Sequence, residues 1–239
     1  MQDFKDQRVL VVGGSSGIGL AVARAFAQSG AQVTIASRSA DKLRQAAGSI
    51  EGDVATRVLD TGDAQAIEAF FAGEAAYHHV FVSAAQTPTG PVRTLALEAA
   101  QQAMESKFWG AYRIARAAKI APRGSLTLVS GFLSVRPSAS SVLQGAINAA
   151  IEALVRGLAL ELAPQQIRVN AVSPGMIATP LWSGLDADKR EAMYAKAEQT
   201  LPARTMGQPE DIARAALYLA STPYASGSTV LVDGGGAIA

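Results

Sequence analysis

A glycine-rich loop between the first predicted strand and the first predicted helix constrains this fold more than any other feature. Residues 13–19 read Gly-Gly-Ser-Ser-Gly-Ile-Gly and follow an apolar run over residues 9–12. Such a loop turns sharply, lets backbone N–H groups approach a phosphate and points a helix N-terminus at negative charge. A tight turn would also use glycines, but a position that opens a βαβ unit favours dinucleotide binding.

Short β-branched runs alternate with alanine-rich helical stretches along the whole chain. Strands are predicted at residues 8–12, 32–36, 56–59, 79–82, 125–129, 167–172 and 230–232, with long helices over about 95–118 and 140–163. This alternation implies right-handed crossovers and a parallel sheet covered on both faces. Without a linker or an internal repeat, residues 1–239 are predicted to form one α/β domain, doubly wound around a seven-stranded parallel sheet.

Composition argues against several function classes. The net charge of +1 offers no basic surplus for nucleic acid, and the chain has no cysteine. Its two histidines, His78 and His79, are adjacent and would point to opposite faces of a strand, so no metal site is predicted. No uninterrupted apolar run reaches the ~18–20 residues of a membrane span, and no leader pattern is present. We expect no membrane association and a cytoplasmic location.

The end of the second predicted strand indicates which dinucleotide binds. An acidic residue there accepts the adenosine ribose 2′-OH, whereas an arginine accommodates a 2′-phosphate. Arg38 holds this position, and the first carboxylate after it is Asp41. Arg38 can pair with a phosphate, and Ser15 and Ser37 can donate from their hydroxyls. A solvated Arg38 is the other interpretation, but we predict NADP(H) as the cofactor.

These motifs resemble those of the short-chain dehydrogenase/reductase (SDR) family, whose loop reads Thr-Gly-x-x-x-Gly-x-Gly. Val12 stands where that family usually has threonine. Further similarities are Ser-Pro-Gly at residues 173–175, Gly-Gln-Pro-Glu-Asp-Ile-Ala at 207–213 and Val-Asp-Gly-Gly at 232–235. The resemblance covers essentially the whole chain. It implies a Rossmann fold and oxidoreductase chemistry on a small carbonyl, alcohol or related substrate.

The resemblance also extends the predicted cofactor site beyond the loop. It places Asp60 and Thr61 near the adenine, the turn Ser83-Ala84-Ala85 against the ribose, and the segment from Pro174 to Thr179 around the nicotinamide. The complete predicted set is Gly13, Ser15, Ser16, Gly17, Ile18, Gly19, Ser37, Arg38, Asp60, Thr61, Ser83, Ala84, Ala85, Pro174, Gly175, Ile177 and Thr179.

The family's catalytic positions are occupied by other residues. SDR enzymes carry Tyr-x-x-x-Lys on the helix after the fifth strand, and the resemblance places Gln144 and Asn148 there. The family's serine position is Gly131, and its asparagine position is Lys107. Side-chain amides neither donate nor accept a full proton near neutral pH. The sequence therefore predicts the loss of the standard proton relay, with Lys107 and Ser130 as candidate substitutes.

Two functions remain open from the sequence. The chain is either an NADP(H)-dependent oxidoreductase with nonstandard proton chemistry, or a catalytically inactive NADP(H)-binding sensor or structural subunit. Residues 180–205 are expected to form a lid or substrate loop. Small residues on several faces of the predicted helix over 140–163 favour a homo-oligomer, a tetramer or a dimer.

Overall fold

The computed structural model describes residues 3–184 and 186–239. Residues 1 and 2 of the predicted domain and residue 185 of the predicted lid lie outside the described residues. The seven strands are β1 (Arg8–Val12), β2 (Gln32–Ser37), β3 (Val54–Val58), β4 (Tyr77–Val82), β5 (Ile120–Val129), β6 (Arg168–Pro174) and β7 (Thr229–Val232).

All seven strands form one parallel sheet in the order β3-β2-β1-β4-β5-β6-β7. The predicted doubly wound α/β fold is therefore confirmed. The strand order reverses between β1 and β4, and a crevice opens there at the carboxyl ends of the strands. That edge of the sheet is where ligands bind in open α/β folds.

The helices run antiparallel to the strands as crossovers. They are α1 (Gly17–Gln28), α2 (Ala40–Ala47), α3 (Ala64–Gly73), α4 (Leu97–Met104), α5 (Gly110–Ala117), α6 (Val142–Glu161), α7 (Ala187–Thr200) and α8 (Pro209–Ser221). The prediction of a single long helix over 95–118 is wrong in one respect, because a π-helical segment, Glu105–Trp109, separates α4 from α5. Segments of this kind are frequent at functional sites because they shift side chains out of α-helical register.

The two faces of the sheet bury separate hydrophobic cores. Successive side chains of a strand point to opposite faces, so Val9 and Val11 of β1 enter one core and Leu10 and Val12 enter the other. Helices α1 and α8 cover the first face, and α3 to α6 cover the second. Since both faces are covered, the carboxyl edge is the part of the sheet left open to ligands.

Helix α6 is apolar on more than its inner face. Ile147, Ile151 and Val155 are fully buried against the sheet. By length and composition alone α6 could also cross a membrane, although only 22% of the tested window is buried. Its outer face carries small exposed residues, among them Ala146, Ala149 and Ala153.

Candidate functional site

The glycine-rich loop has the backbone geometry of an anion-binding turn. Gly13 and Gly17 have positive φ angles of 87° and 52°, a region that side-chain-bearing residues adopt rarely. A Cβ at Gly19 would overlap the carbonyl oxygen of Gly13, so only glycine lets α1 approach the loop. Ser16 is the N-cap of α1, and its side chain makes no capping hydrogen bond. Its hydroxyl is thus available to a ligand at the helix N-terminus.

The end of β2 offers hydroxyl and guanidinium groups at the adjacent position. Ser37 Oγ is buried without a hydrogen-bond partner among the described residues, and Arg38 beside it is exposed. Ser39 Oγ accepts from the backbone N–H of Lys42 and caps α2. Because a buried, unpartnered hydroxyl is costly, Ser37 fits a site that a ligand oxygen completes. The Ser37 hydroxyl and the Arg38 guanidinium together suit a 2′-phosphate.

The turns after β3 and β4 form the next part of the crevice. Asp60 Oδ1 accepts from the Gly62 N–H at 2.9 Å, which closes a short turn after β3. A Cβ on Gly13 would lie 2.6 Å from the backbone nitrogen of Ala84, so the glycine loop packs directly on the turn after β4. Ser83 Oγ donates to the carbonyl of Val12 at 3.3 Å and ties that turn to β1.

The segment after β6 closes the opposite side. The Gly175 N–H donates to the Val232 carbonyl at 2.9 Å, and a Cβ there would come 2.6 Å from Asp233 Cα. Thr179 faces the loop, since a Cβ on Gly17 would lie 3.5 Å from Thr179 Cβ. The predicted cofactor residues therefore lie together along the carboxyl edge, as the ends of parallel strands require, and they fit a nicotinamide dinucleotide phosphate.

The π-helical segment points Lys107 into the sheet edge. Lys107 Nζ donates to the Ser130 carbonyl at 2.7 Å and to Asn148 Oδ1 at 2.6 Å. Asn148 is 4% exposed, so this amide is a buried acceptor that α6 holds for the ammonium. Of the three N–H groups of the ammonium, these bonds use two. The third has no partner among the described residues and is available to a ligand or to water.

The environment of Lys107 moves its proton affinity toward neutrality. Burial lowers the pKa of Lys107 from its ordinary 10.5 to about 8, and the charge of Glu152 partly opposes that shift. Lys107 also lines a small cavity of about 40 Å³ with the turn after β4 and with Ala111 and Val129. A cavity of this size has room for one water molecule beside the ammonium. Lys107 can therefore hold and release a proton near neutral pH.

Glu152 is a site residue that sequence reasoning missed. Its Oε1 accepts hydrogen bonds from Ser130 Oγ at 2.9 Å and from Ser134 Oγ at 2.7 Å. The signal was present, because Glu152 follows Asn148 by four residues and shares its helix face. The predicted candidate Ser130 is 3% exposed, and its hydroxyl is bound to this carboxylate.

Gln144 and Gly131 complete the surroundings of Lys107. Gln144 Nε2 donates to both the carbonyl and the hydroxyl of Thr87, at 2.8 and 3.0 Å. Gln144 thereby attaches the loop after β4 to α6. A Cβ on Gly131 would lie 2.7 Å from Asn148 Nδ2, so glycine is the residue that leaves room for the amide. Across residues 3–184 and 186–239, no group of three or more metal-ligating side chains occurs.

The chain is similar to proteins of one known family over nearly all of its length. A family model described as enoyl-(acyl carrier protein) reductase matches residues 12–236. Dehydrogenase/reductase SDR family member 4 of Homo sapiens is 32% identical over 246 residues, which is 95% of this chain and 86% of that protein. The chain belongs to the short-chain dehydrogenase/reductase family. An uncharacterised SDR of Sinorhizobium fredii, y4vI, is 33% identical, and the chain spans only 44% of its length.

Solved SDR structures support the cofactor assignment. A small-chain dehydrogenase in complex with NADPH is 35% identical with a TM-score of 0.85, and the match covers 98% of this chain and 99% of that one. An NADPH-bound short chain oxidoreductase of Pseudomonas aeruginosa PAO1, described as containing an atypical catalytic center, is 28% identical with a TM-score of 0.90 and 98% coverage of both chains. The prediction of NADP(H) as the cofactor of this SDR oxidoreductase is thereby confirmed.

Proposed function

We propose that this SDR protein transfers hydride between NADP(H) and a small carbonyl, alcohol or related substrate, with Lys107 carrying the proton. The observation that carries the proposal is the Lys107 ammonium, held by the Ser130 carbonyl and Asn148 Oδ1 with one N–H uncommitted. The bound cofactor supplies hydride chemistry, and the protein supplies orientation and a proton.

Preference for NADP(H) over NAD(H) follows from the end of β2. Arg38 and the unpartnered Ser37 hydroxyl offer charge-assisted and neutral donors to a 2′-phosphate. The glycine loop and the uncapped Ser16 would hold the pyrophosphate, and the segment from Pro174 to Thr179 would hold the nicotinamide. Each of these residues binds or orients the cofactor and leaves proton transfer to another group.

Lys107 takes the place of the family's tyrosine and lysine in this proposal. Gln144 and Asn148, which the resemblance aligns with that pair, carry only amides, and the Gln144 amide protons are occupied by Thr87. Reduction of a carbonyl adds hydride to its carbon, and the Lys107 ammonium gives a proton to its oxygen, directly or through a water. The neutral amine then regains a proton from solvent. The reverse reaction requires the neutral amine.

This chemistry fixes the pH dependence. Reduction needs protonated Lys107, so its rate falls as the pH rises through about 8, while alcohol oxidation gains rate over the same range. Ordinary ketone reduction should be slow, because a positioned acid typically contributes ~10²–10⁴ in rate and the family's acid is replaced.

A steady-state assay tests the function. NADPH oxidation is followed with aldehydes, ketones and enones at pH 6 to 9.5, using wild type, Lys107→Met and the exposed-lysine control Lys119→Met. In wild type and the control we expect the rate of NADPH oxidation to decline with rising pH, with a midpoint near pH 8. Lys107→Met should not show this decline. Robust ketone reduction that survives Lys107→Met would refute the proposed proton carrier.

The second candidate function is NADP(H) binding without turnover. The double hydrogen bond of Gln144 to Thr87 favours it, because that bond holds the loop after β4 against α6 beside the cofactor edge. Tight NADPH binding together with no hydride transfer to any tested substrate would identify this function. The protein would then serve as a cofactor sensor or a structural subunit.

Residues 180–205 and the outer face of α6 also have proposed roles, as a lid and as a contact surface. Residues 180–205 would cover a small-molecule substrate, and Trp182 Nε1 anchors their start by donating to the Ile177 carbonyl at 2.8 Å. The exposed small residues of α6 and the exposed Trp109 and Tyr112 would pack against a second copy of the chain. We place this homo-oligomer, a dimer or tetramer, in the cytoplasm.

A further inference from the structure

Glu152 lies on α6 one turn beyond Asn148, at the carboxyl end of β5. Its Oε1 accepts the hydroxyls of Ser130 and Ser134 at 2.9 and 2.7 Å. The backbone carbonyl of the same Ser130 accepts from Lys107 Nζ at 2.7 Å. Ser130 therefore links two charged groups, because its hydroxyl binds the carboxylate and its carbonyl binds the ammonium.

The Ser130 link is rigid because the serine is buried. Ser130 is 3% exposed, and its backbone N–H donates to the Val172 carbonyl of β6 at 2.9 Å. With the backbone N–H and the hydroxyl both committed, the carbonyl has a fixed direction. A lysine side chain with four rotatable carbon–carbon bonds gains a defined ammonium position from two such fixed acceptors.

Glu152 is also the carboxylate whose charge acts on Lys107. The π-helical segment packs against α4, α5 and α6, where the described charged side chains other than Glu152 are either paired or exposed. Glu105 pairs with Arg113, and the exposed ones are Glu98, Arg116, Arg156 and Glu161. The Glu152 carboxylate raises the pKa of Lys107 against the opposing effect of burial.

We propose that Glu152 is a positioning residue for the proton-carrying site: it fixes the Ser130 carbonyl that binds Lys107, and its carboxylate supplies the charge opposite to that of the ammonium. This inference rests on the proposed function for its catalytic consequence. Glu152 acts through Ser130 and through its field, without touching the reacting atoms. Loss of its charge should therefore change when Lys107 titrates and leave cofactor binding intact.

The test measures the titration of Lys107 directly. The chain has six lysines, so ¹³Cε resonances of labelled lysine can be followed from pH 6 to 11, with Lys107→Met identifying the Lys107 signal. Glu152→Gln keeps an oxygen acceptor for the two serines and removes the charge. We expect the Lys107 midpoint to fall by about one pH unit from its wild-type value near 8, a typical effect of losing a nearby opposite charge.

Glu161→Gln is the matched control, because Glu161 lies on the same helix and is exposed. It should leave the Lys107 midpoint unchanged. Where turnover is measurable, the pH limb of reduction should move with the NMR midpoint in Glu152→Gln, whereas the Kd for NADPH should stay within about twofold of wild type.

An unchanged Lys107 midpoint in folded Glu152→Gln overturns the inference. So does an equal shift in Glu161→Gln. If Glu152→Gln fails to fold, Glu152→Asp, which withdraws the carboxylate by one methylene, must lower the Lys107 midpoint by a smaller amount, or the inference fails. The titration needs no turnover, so a shifted midpoint in an inactive protein would refute the proposed function and leave the positioning role standing.

Discussion

Asn148→Lys provides the sharpest test of the Lys107 site, because it would place two lysines where the structure holds one. Lys107 Nζ lies 2.6 Å from Asn148 Oδ1, so a lysine at position 148 would remove that acceptor and bring a second ammonium close to the first. The matched control is Asn148→Met, which has similar length and no charge. The difference between the two variants isolates the repulsion between the ammonium groups.

The magnitude follows from the proton affinity of Lys107. Two charges ~4 Å apart repel by about 4 kcal/mol at an effective dielectric constant of ~20. Lys107 can avoid that energy by losing its proton, which costs about 1 kcal/mol at pH 7 because its pKa is about 8. Loss of the proton costs about 3 kcal/mol at pH 6 and almost nothing at pH 9. The extra destabilisation of Asn148→Lys should follow this series.

Urea unfolding at pH 6, 7 and 9 measures the effect. Relative to Asn148→Met, Asn148→Lys should lose about 3 kcal/mol of unfolding free energy at pH 6, about 1 kcal/mol at pH 7 and almost none at pH 9. Adding Lys107→Asn should remove the difference at every pH, since one cation then remains. A pH-independent difference, or no recovery in the double variant, would refute a single-cation site with a lowered proton affinity.

The same repulsion governs any attempt to install the family's catalytic residues. The triple replacement Gly131→Ser, Gln144→Tyr and Asn148→Lys would bring a second cation beside Lys107. We expect measurable ketone reduction only when Lys107→Asn is added as a fourth change, as assayed by NADPH oxidation. Activity in the triple variant equal to that of the quadruple variant would contradict this expectation.

Three further predictions test the cofactor site, the core and the assembly. Arg38→Ala should weaken NADPH binding by about 10- to 100-fold and NADH binding little, as titration of both would measure; equal losses would refute the 2′-phosphate assignment. Burial lowers the pKa of His79 from 6.5 to about 4. The free energy of unfolding should therefore fall by up to about 3 kcal/mol as the pH drops from 6.5 to 4. Urea unfolding should show that His79→Gln lacks this pH dependence. Light scattering at micromolar concentration should report a dimer or tetramer, and a monomer would contradict the α6 interface.

The parts of the fold that local chemistry determines were predictable from the sequence. The glycine loop lies where the sequence places it, because it depends on residues within a few positions of one another, and the same is true of the Ser39 cap of α2 and the Asp63 cap of α3. Strand boundaries were less accurate. Strand β5 begins at Ile120 rather than at residue 125, because Ile120 pairs with Tyr77 of β4. The register between β4 and β5 then shifts before Ser125 pairs with His79. Pairing of this kind depends on distant residues, which local patterns do not encode.

The Lys107 site was predictable only in part. The sequence identified Lys107 as a candidate, but its bonds to Ser130 and Asn148 depend on a π-helical segment that hydrophobic periodicity did not indicate. The lowered pKa depends on burial, which is a property of the packed helices. Glu152 could have been found, since its spacing from Asn148 places both side chains on one face of α6.

The residues at the positions that the sequence resemblance aligns with the family's catalytic groups form one mutually dependent set. A Cβ at position 131 would lie 2.7 Å from Asn148 Nδ2, so the asparagine in this orientation needs the glycine. Asn148 in turn supplies the amide oxygen that holds the Lys107 ammonium, which a lysine at 148 would repel. Gly131, Asn148 and Lys107 are thus compatible with one another, but each is incompatible with the family's residue at a neighbouring position. Replacing one of them by the family's residue should therefore be harmful, whereas replacing them together should be tolerated. That coupling distinguishes a rebuilt site from one that has accumulated independent losses.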